Sequence, residues 1–80
     1  MSTLKKYKQI FIKVFSIKDI KKIENLKYQD VEEWDSIGHM TLMSELENAF
    51  NISIETDDIV DFSSYKKGQE ILEKYKVKLN

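Results

Sequence analysis

The residues of this 80-residue chain with the most chemistry to offer gather in Trp34-Asp35-Ser36-Ile37-Gly38-His39-Met40, where acidic, loop-like sequence gives way to an amphipathic run. Asp35, Ser36 and His39 are the parts of a nucleophilic triad, in which an acid orients an imidazole that takes the serine proton. All three lie within one helical turn, His39 projects toward the core side, and no glycine-rich loop supplies an oxyanion hole, so a productive relay has poor geometry. His39 reads instead as a packed histidine near a helix start. A second reading is structural: a Ser or Asp just before an amphipathic helix commonly caps its first turn. A third is covalent. A phosphodiester on an exposed Ser36 hydroxyl would meet the unpaired N–H groups and positive end of the helix, and the reactivity would then lie in the attached group. The other acidic set, Asp57, Asp58 and Asp61, lacks the alternating ligands and central glycine of a calcium loop. It reads as a structural or partner-facing acidic helix.

Elements must hold these side chains in place, and the apolar spacing supplies four. Leu4, Tyr7, Phe11 and Val14, widened by Ile10 and Phe15, recur at three-to-four spacing and predict a first helix, with Ser2 or Thr3 as its cap. From Ser16 to Asp35 the pattern loosens to Ile17, Ile20, Ile23, Leu26 and Val31, which reads as a long connection whose aliphatics dip into the core. The second helix runs from about Ser36 to Phe50, with Leu42, Met43, Leu46, Ala49 and Phe50 on one side and Thr41, Ser44, Glu45 and Asn48 opposite. Ile37 falls on the polar side, and Met40 and Glu47 lie near its edge. An exposed aliphatic beside an attachment point is what a docking surface needs, although isolated surface aliphatics are also ordinary.

Asn51-Ile52-Ser53-Ile54-Glu55 breaks the second helix. A short third helix comes next, capped by Thr56 or Asp57, with Ile59 and Phe62 inward and Asp57, Asp58 and Asp61 outward. Ser63 or Ser64 starts a fourth, in which Tyr65, Ile71, Leu72 and Tyr75 mark the core side and Gly68 permits close approach of a neighbour. Tyr28 and Trp34 read as loop and core packing. The expected fold is all-α: a small four-helix bundle with three longer helices, one short third helix and a long loop between the first two, forming one domain over residues 1–80.

Composition excludes several functions. A chain of this size is near the lower limit for a self-sufficient core and has little room for a deep active site. With no Cys, neither a disulfide framework nor a thiolate nucleophile is possible, and a single His removes paired-histidine metal motifs. The basic, then apolar, N-terminal stretch is interrupted by Lys13 and has no small-residue cleavage site, and no segment approaches the roughly 20 apolar residues of a membrane span. The protein is expected to be soluble and cytoplasmic. Its basic residues are all Lys and Ala49 is its one alanine, a usage that suits an AT-rich bacterial genome.

The net charge of −1 conceals a segregated pattern. Residues 1–27 carry eight Lys against Asp19 and Glu24, and residues 63–80 five Lys against Glu70 and Glu73, whereas residues 28–62 hold ten acids and no Lys or Arg. The acidic block surrounds Ser36. It would repel a phosphate backbone and attract basic protein surfaces, which argues against nucleic-acid binding through this face; a merely solvated charge run is the plain alternative.

Taken together, these residues resemble the acyl carrier protein family, including the related peptidyl and D-alanyl carriers. Asp35-Ser36-Ile37 is similar to its Asp-Ser-Leu attachment motif, with Leu changed to Ile, and Gly38-His39-Met40 is similar to a variant found among such carriers. The likeness continues through Leu42, Met43, Leu46, Glu47 and Phe50, then Ile52, Ile54, Asp58, Ile59, the Ser63-Ser64 helix start and Ile71-Leu72. With the first helix it covers nearly the whole chain.

The resemblance implies that a phosphopantetheinyl transferase uses coenzyme A and magnesium to place 4′-phosphopantetheine on Ser36. The arm's thiol would then carry acyl or aminoacyl groups as thioesters, which gives a chain without Cys its thiol chemistry. Asp35 would help the transferase position its metal and Ser36. Ile37, Met40, Glu47, Asp57 and Asp58 would present a surface to basic patches on acyl- or aminoacyl-loading and transferring enzymes, where charge gives steering more than tight binding. Thr41, Ser44 and Asn48 stand where fatty-acid carriers usually have further acids, so polysaccharide acylation, polyketide or peptide assembly and aminoacyl transfer stay open beside fatty-acid synthesis. A monomeric, non-catalytic carrier shared among separate enzymes is the leading expectation. The rival is a helical interaction adaptor with the same fold that is never modified.

Overall fold

The computed structural model describes residues 3–79, which form α1 (Thr3–Phe15), a 3-10 helix (Ile20–Asn25), α2 (Ser36–Phe50), α3 (Thr56–Asp61) and α4 (Tyr65–Lys74). No strand occurs among the described residues, and the chain is the small all-α bundle that the spacing predicts. The connection after α1 holds more structure than expected. Asp19 accepts a hydrogen bond from the Lys21 N–H at 3.1 Å and starts the 3-10 helix, whose three-residue turns match the Ile17, Ile20, Ile23, Leu26 spacing. Only Ile23 and Leu26 of that series are buried, and Ile20 points to solvent.

Helix ends obey local chemistry. Asn51 stops α2 by adopting a left-handed conformation (φ 54°), and its N–H returns to the Glu47 carbonyl. Ser64 caps α4 by accepting from the Lys67 N–H at 3.0 Å. One expected cap differs: Glu55 precedes α3 without a side-chain cap bond, so neither Thr56 nor Asp57 takes that role. Thr3 lies within α1. Ser2 lies outside the described residues.

One aromatic core joins the helices. Tyr7, Phe11 and Phe15 line the inner face of α1, against Leu42, Met43 and Leu46 of α2 and Tyr65, Ile71 and Leu72 of α4. Phe11 lies edge-on to Tyr7 and Tyr65 (centroids 5.0 Å each) and to Trp34 (5.6 Å), while Phe15 stacks on Trp34 at 5.0 Å. Trp34 is fully buried although it belongs to the connection before α2. The loop that leads to Ser36 is therefore anchored in the core. Tyr7 donates its hydroxyl to the Tyr65 carbonyl at 2.7 Å, and burial holds this phenol well above its ordinary pKa, so it stays a donor. Gly68 of α4 faces Phe62 and the Tyr7 hydroxyl so closely that an added Cβ would overlap both. Among the described residues, no helix is long and apolar enough to cross a membrane.

Candidate functional site

α2 starts at a turn that only a glycine allows. A Cβ on Gly38 would overlap the Glu33 carbonyl oxygen, so the chain enters the helix tightly folded against the loop behind it. Asp35 is the N-cap: its Oδ1 accepts from the Gly38 N–H at 2.8 Å, and its carbonyl accepts from the His39 N–H at 2.8 Å. Capping thus rests on Asp35. Ser36 is the first residue of the helix, and its side chain is exposed. Its hydroxyl lies 3.4 Å from the Tyr28 hydroxyl. Asp35 already brings one negative charge to the positive end of this 15-residue helix, and no further acid occupies the first turn.

His39 is occupied elsewhere. The Trp34 Nε1–H donates to Nδ1 at 2.9 Å, so Nδ1 is an acceptor, and Nε2 carries the proton and donates to the Ile59 carbonyl at 2.8 Å. The imidazole lies nearly parallel to the indole, with 15° between planes. With both nitrogens engaged, His39 ties α2 to Trp34 and α3 and makes no relay to Ser36.

The apolar side chains expected at a docking surface are exposed. Ile37 is 79% exposed and Met40 52%, and Val60 of α3, which the apolar spacing did not single out, is 78% exposed. Beside them an open groove of about 240 Å3 is lined by Tyr28, His39, Ile59, Val60, Phe62 and Ser63. A larger hollow of about 500 Å3 near the 3-10 helix does not include Ser36, and its rim carries three lysines and three acids, so charge selects no ligand for it.

The acids divide. Asp57 and Asp61 are exposed, as expected, but Asp58 is not outward-facing: it is 7% exposed and accepts from Lys74 Nζ at 2.6 Å and from the Tyr75 hydroxyl at 2.5 Å. Tyr75 in turn accepts from the Glu55 N–H at 2.9 Å. Asp58 precedes the buried Phe62 by four residues and so shares its inward side, where it becomes a latch from α3 to α4. Glu47 is also engaged, its Oε2 accepting from the Ile54 N–H at 2.8 Å, and it is half-buried. Among the described residues no group of three or more His, Asp or Glu is placed to hold a metal ion.

The latch has a pH signature. Hydrogen bonds from Lys74 and then Tyr75 hold the Asp58 carboxyl below its ordinary pKa. A depressed pKa means that the latch stabilises the fold above about pH 4 and loses that contribution as pH falls through the lower folded value. Wild-type protein should lose thermal stability on acidification more steeply than Asp58→Asn, which starts lower at pH 7. Parallel curves of Tm against pH for the two proteins would refute the latch.

Comparisons with protein-family models, with curated proteins and with solved structures give no significant match to this chain. Function must therefore be read from the site's own geometry. That geometry brings Asp35, Ser36, Ile37 and Met40 together at the start of α2, leaves Asp57 exposed on α3, and takes Asp58 away into the α4 contact. It adds Tyr28, which no spacing in the sequence connects to Ser36.

Proposed function

We propose that this chain is a non-catalytic carrier whose Ser36 hydroxyl receives 4′-phosphopantetheine and whose partners are the enzymes that load and unload that arm. One observation carries the reading: Asp35 caps α2 by itself, so the exposed Ser36 hydroxyl has no capping role at the positive end of the helix. A phosphodiester fits there. The amides of Ser36 and Ile37 precede the first intrahelical hydrogen bond and could meet it, while the Asp35 carboxylate takes the Gly38 N–H beside them.

Modification joins Ser36 Oγ to phosphorus as the pyrophosphate P–O bond of coenzyme A breaks, the nucleotide half leaves, and the hydroxyl proton is released. Asp35 stands beside Ser36 to help a transferase and its magnesium approach. When bound, the arm supplies the thiol that the chain lacks. The chain's own contribution is to hold Ser36 outward on a rigid helix and to offer a docking face.

That face is apolar at Ile37, Met40 and Val60 and acidic at Asp57 and Asp61. Asp58 is left out because its charge is spent on Lys74, and Glu47 contributes less because one oxygen holds Ile54. Basic patches on cytoplasmic enzymes of fatty-acid or specialised acyl and aminoacyl metabolism are the complementary surfaces, with charge acting mainly on the rate of encounter. The exposed Ile37 and Val60 would equally serve an unmodified adaptor. Incubation with a broad-specificity phosphopantetheinyl transferase, coenzyme A and magnesium separates the two: the carrier gains one arm, Ser36→Ala gains none, and an adaptor is unchanged.

A further inference from the structure

We propose that Tyr28 is a positioning residue for the chemistry at Ser36: its hydroxyl orients Oγ before modification and donates to a phosphoryl oxygen of the diester afterwards. The inference rests on the carrier reading above and adds to it a residue eight positions away in the chain.

The backbone around Tyr28 is held on every side. Its N–H donates to the Ser63 carbonyl at 2.9 Å and the neighbouring Leu26 carbonyl accepts from the Tyr65 N–H at 2.9 Å, which pairs Lys27 with Ser64 as an isolated antiparallel bridge. The next turn is closed by the Asp30 N–H on the Lys27 carbonyl at 2.9 Å and by the Asp30 carboxylate on the Lys27 N–H at 2.8 Å. Gln29 takes a left-handed conformation (φ 71°), which lets its N–H reach the Trp34 carbonyl at 3.1 Å. The ring is fixed as well. It stands edge-on to Trp34 (6.2 Å, 89°) and to His39 (5.6 Å, 76°), the two side chains that are hydrogen-bonded to each other beneath it.

Phenylalanine would satisfy all of that packing. The hydroxyl is the surplus group, and among the described residues its hydrogen-bond partner is Ser36 Oγ. At 3.4 Å the contact is long for O–H···O, so it biases the serine rotamer without locking it. A phosphodiester adds charged oxygens beyond Oγ, and charge-assisted hydrogen bonds are shorter and about twice as strong as neutral ones. A phenol at the rim of the groove, donating to one of these oxygens, would fix the direction in which the arm leaves the helix.

Tyr28→Phe removes only the hydroxyl and is the test, read by transfer kinetics and by 31P NMR of the modified proteins. The variant is expected to keep its thermal stability and its KM for the transferase, to lose about three- to tenfold in kcat, and to show a displaced 31P resonance. Superimposable 31P resonances together with an equal kcat overturn the role of Tyr28 and leave the carrier reading intact. A wild-type protein that takes no arm at all, beside an established carrier that does, overturns both.

Discussion

Trp34→Ala is expected to cost about 3–5 kcal/mol, the range for truncating a fully buried aromatic side chain. For a chain of this length the whole stability is on the order of 4–12 kcal/mol, at roughly 0.05–0.15 kcal/mol per residue. The variant should therefore unfold at a much lower urea concentration, and at the low end of that range much of the population is unfolded at 25 °C. The reason is the position of the indole: it stacks on Phe15, meets Phe11 edge-on and hydrogen-bonds His39, and so joins α1, α2 and the loop before Ser36. Trp34→Phe separates the terms. It keeps an aromatic ring in the core but leaves His39 Nδ1 without its donor, a loss of about 1–3 kcal/mol. Urea unfolding followed by circular dichroism reads both variants. A cost below about 1 kcal/mol for Trp34→Ala would mean that the core is not organised around the indole.

Gly68→Ala should destabilise, against the usual preference. In an exposed helix interior alanine is better than glycine by about 1 kcal/mol. Here the new methyl would overlap the ring of Phe62 and the hydroxyl of Tyr7, both buried, and Tyr7 is itself held by the Tyr65 carbonyl. Overpacking of this kind costs about 1–3 kcal/mol or more, and with two buried groups overlapped the upper part of that range applies, which leaves a net loss of about 1–2 kcal/mol after the helix preference is taken off. Glu70→Ala, exposed on the same helix, should stay within about 0.5 kcal/mol of wild type. A Gly68→Ala protein more stable than wild type would contradict the close contact of Gly68 with the Tyr7 hydroxyl and the Phe62 ring.

Much of this fold is legible in the sequence because its helices bury one face. Tyr7, Phe11 and Phe15, or Leu42, Met43 and Leu46, declare themselves by spacing alone, and Ser64 and Asn51 mark ends by side-chain chemistry. The 3-10 helix is not legible as a helix, since two turns at three-residue spacing are too short to distinguish from a loop that touches the core. Asp58 shows a different limit. Asp57 and Asp61 of the same six-residue helix are exposed while Asp58 is not, so an acid's direction there depends on whether a partner such as Lys74 waits across the gap.

The candidate site is legible only along α2. Asp35 and Ser36 both look like caps by type, and it is the geometry, with Oδ1 on the Gly38 N–H, that assigns the cap to Asp35 and frees Ser36. Tyr28 comes to Ser36 through the pairing of Lys27 with Ser64, a contact between segments far apart in sequence. No local pattern encodes a pairing of that kind. His39, which invites a catalytic reading by type, holds α3 to the rest of the bundle instead.

Whether Ser36 carries the arm decides between a carrier and an adaptor. Intact mass before and after incubation with a broad-specificity transferase, coenzyme A and magnesium, with peptide mapping of the product, measures this directly. A carrier gains a single phosphopantetheine, mapped to Ser36 and lost in Ser36→Ala. An unchanged mass, while an established carrier in the same tube is fully modified, would contradict the carrier function.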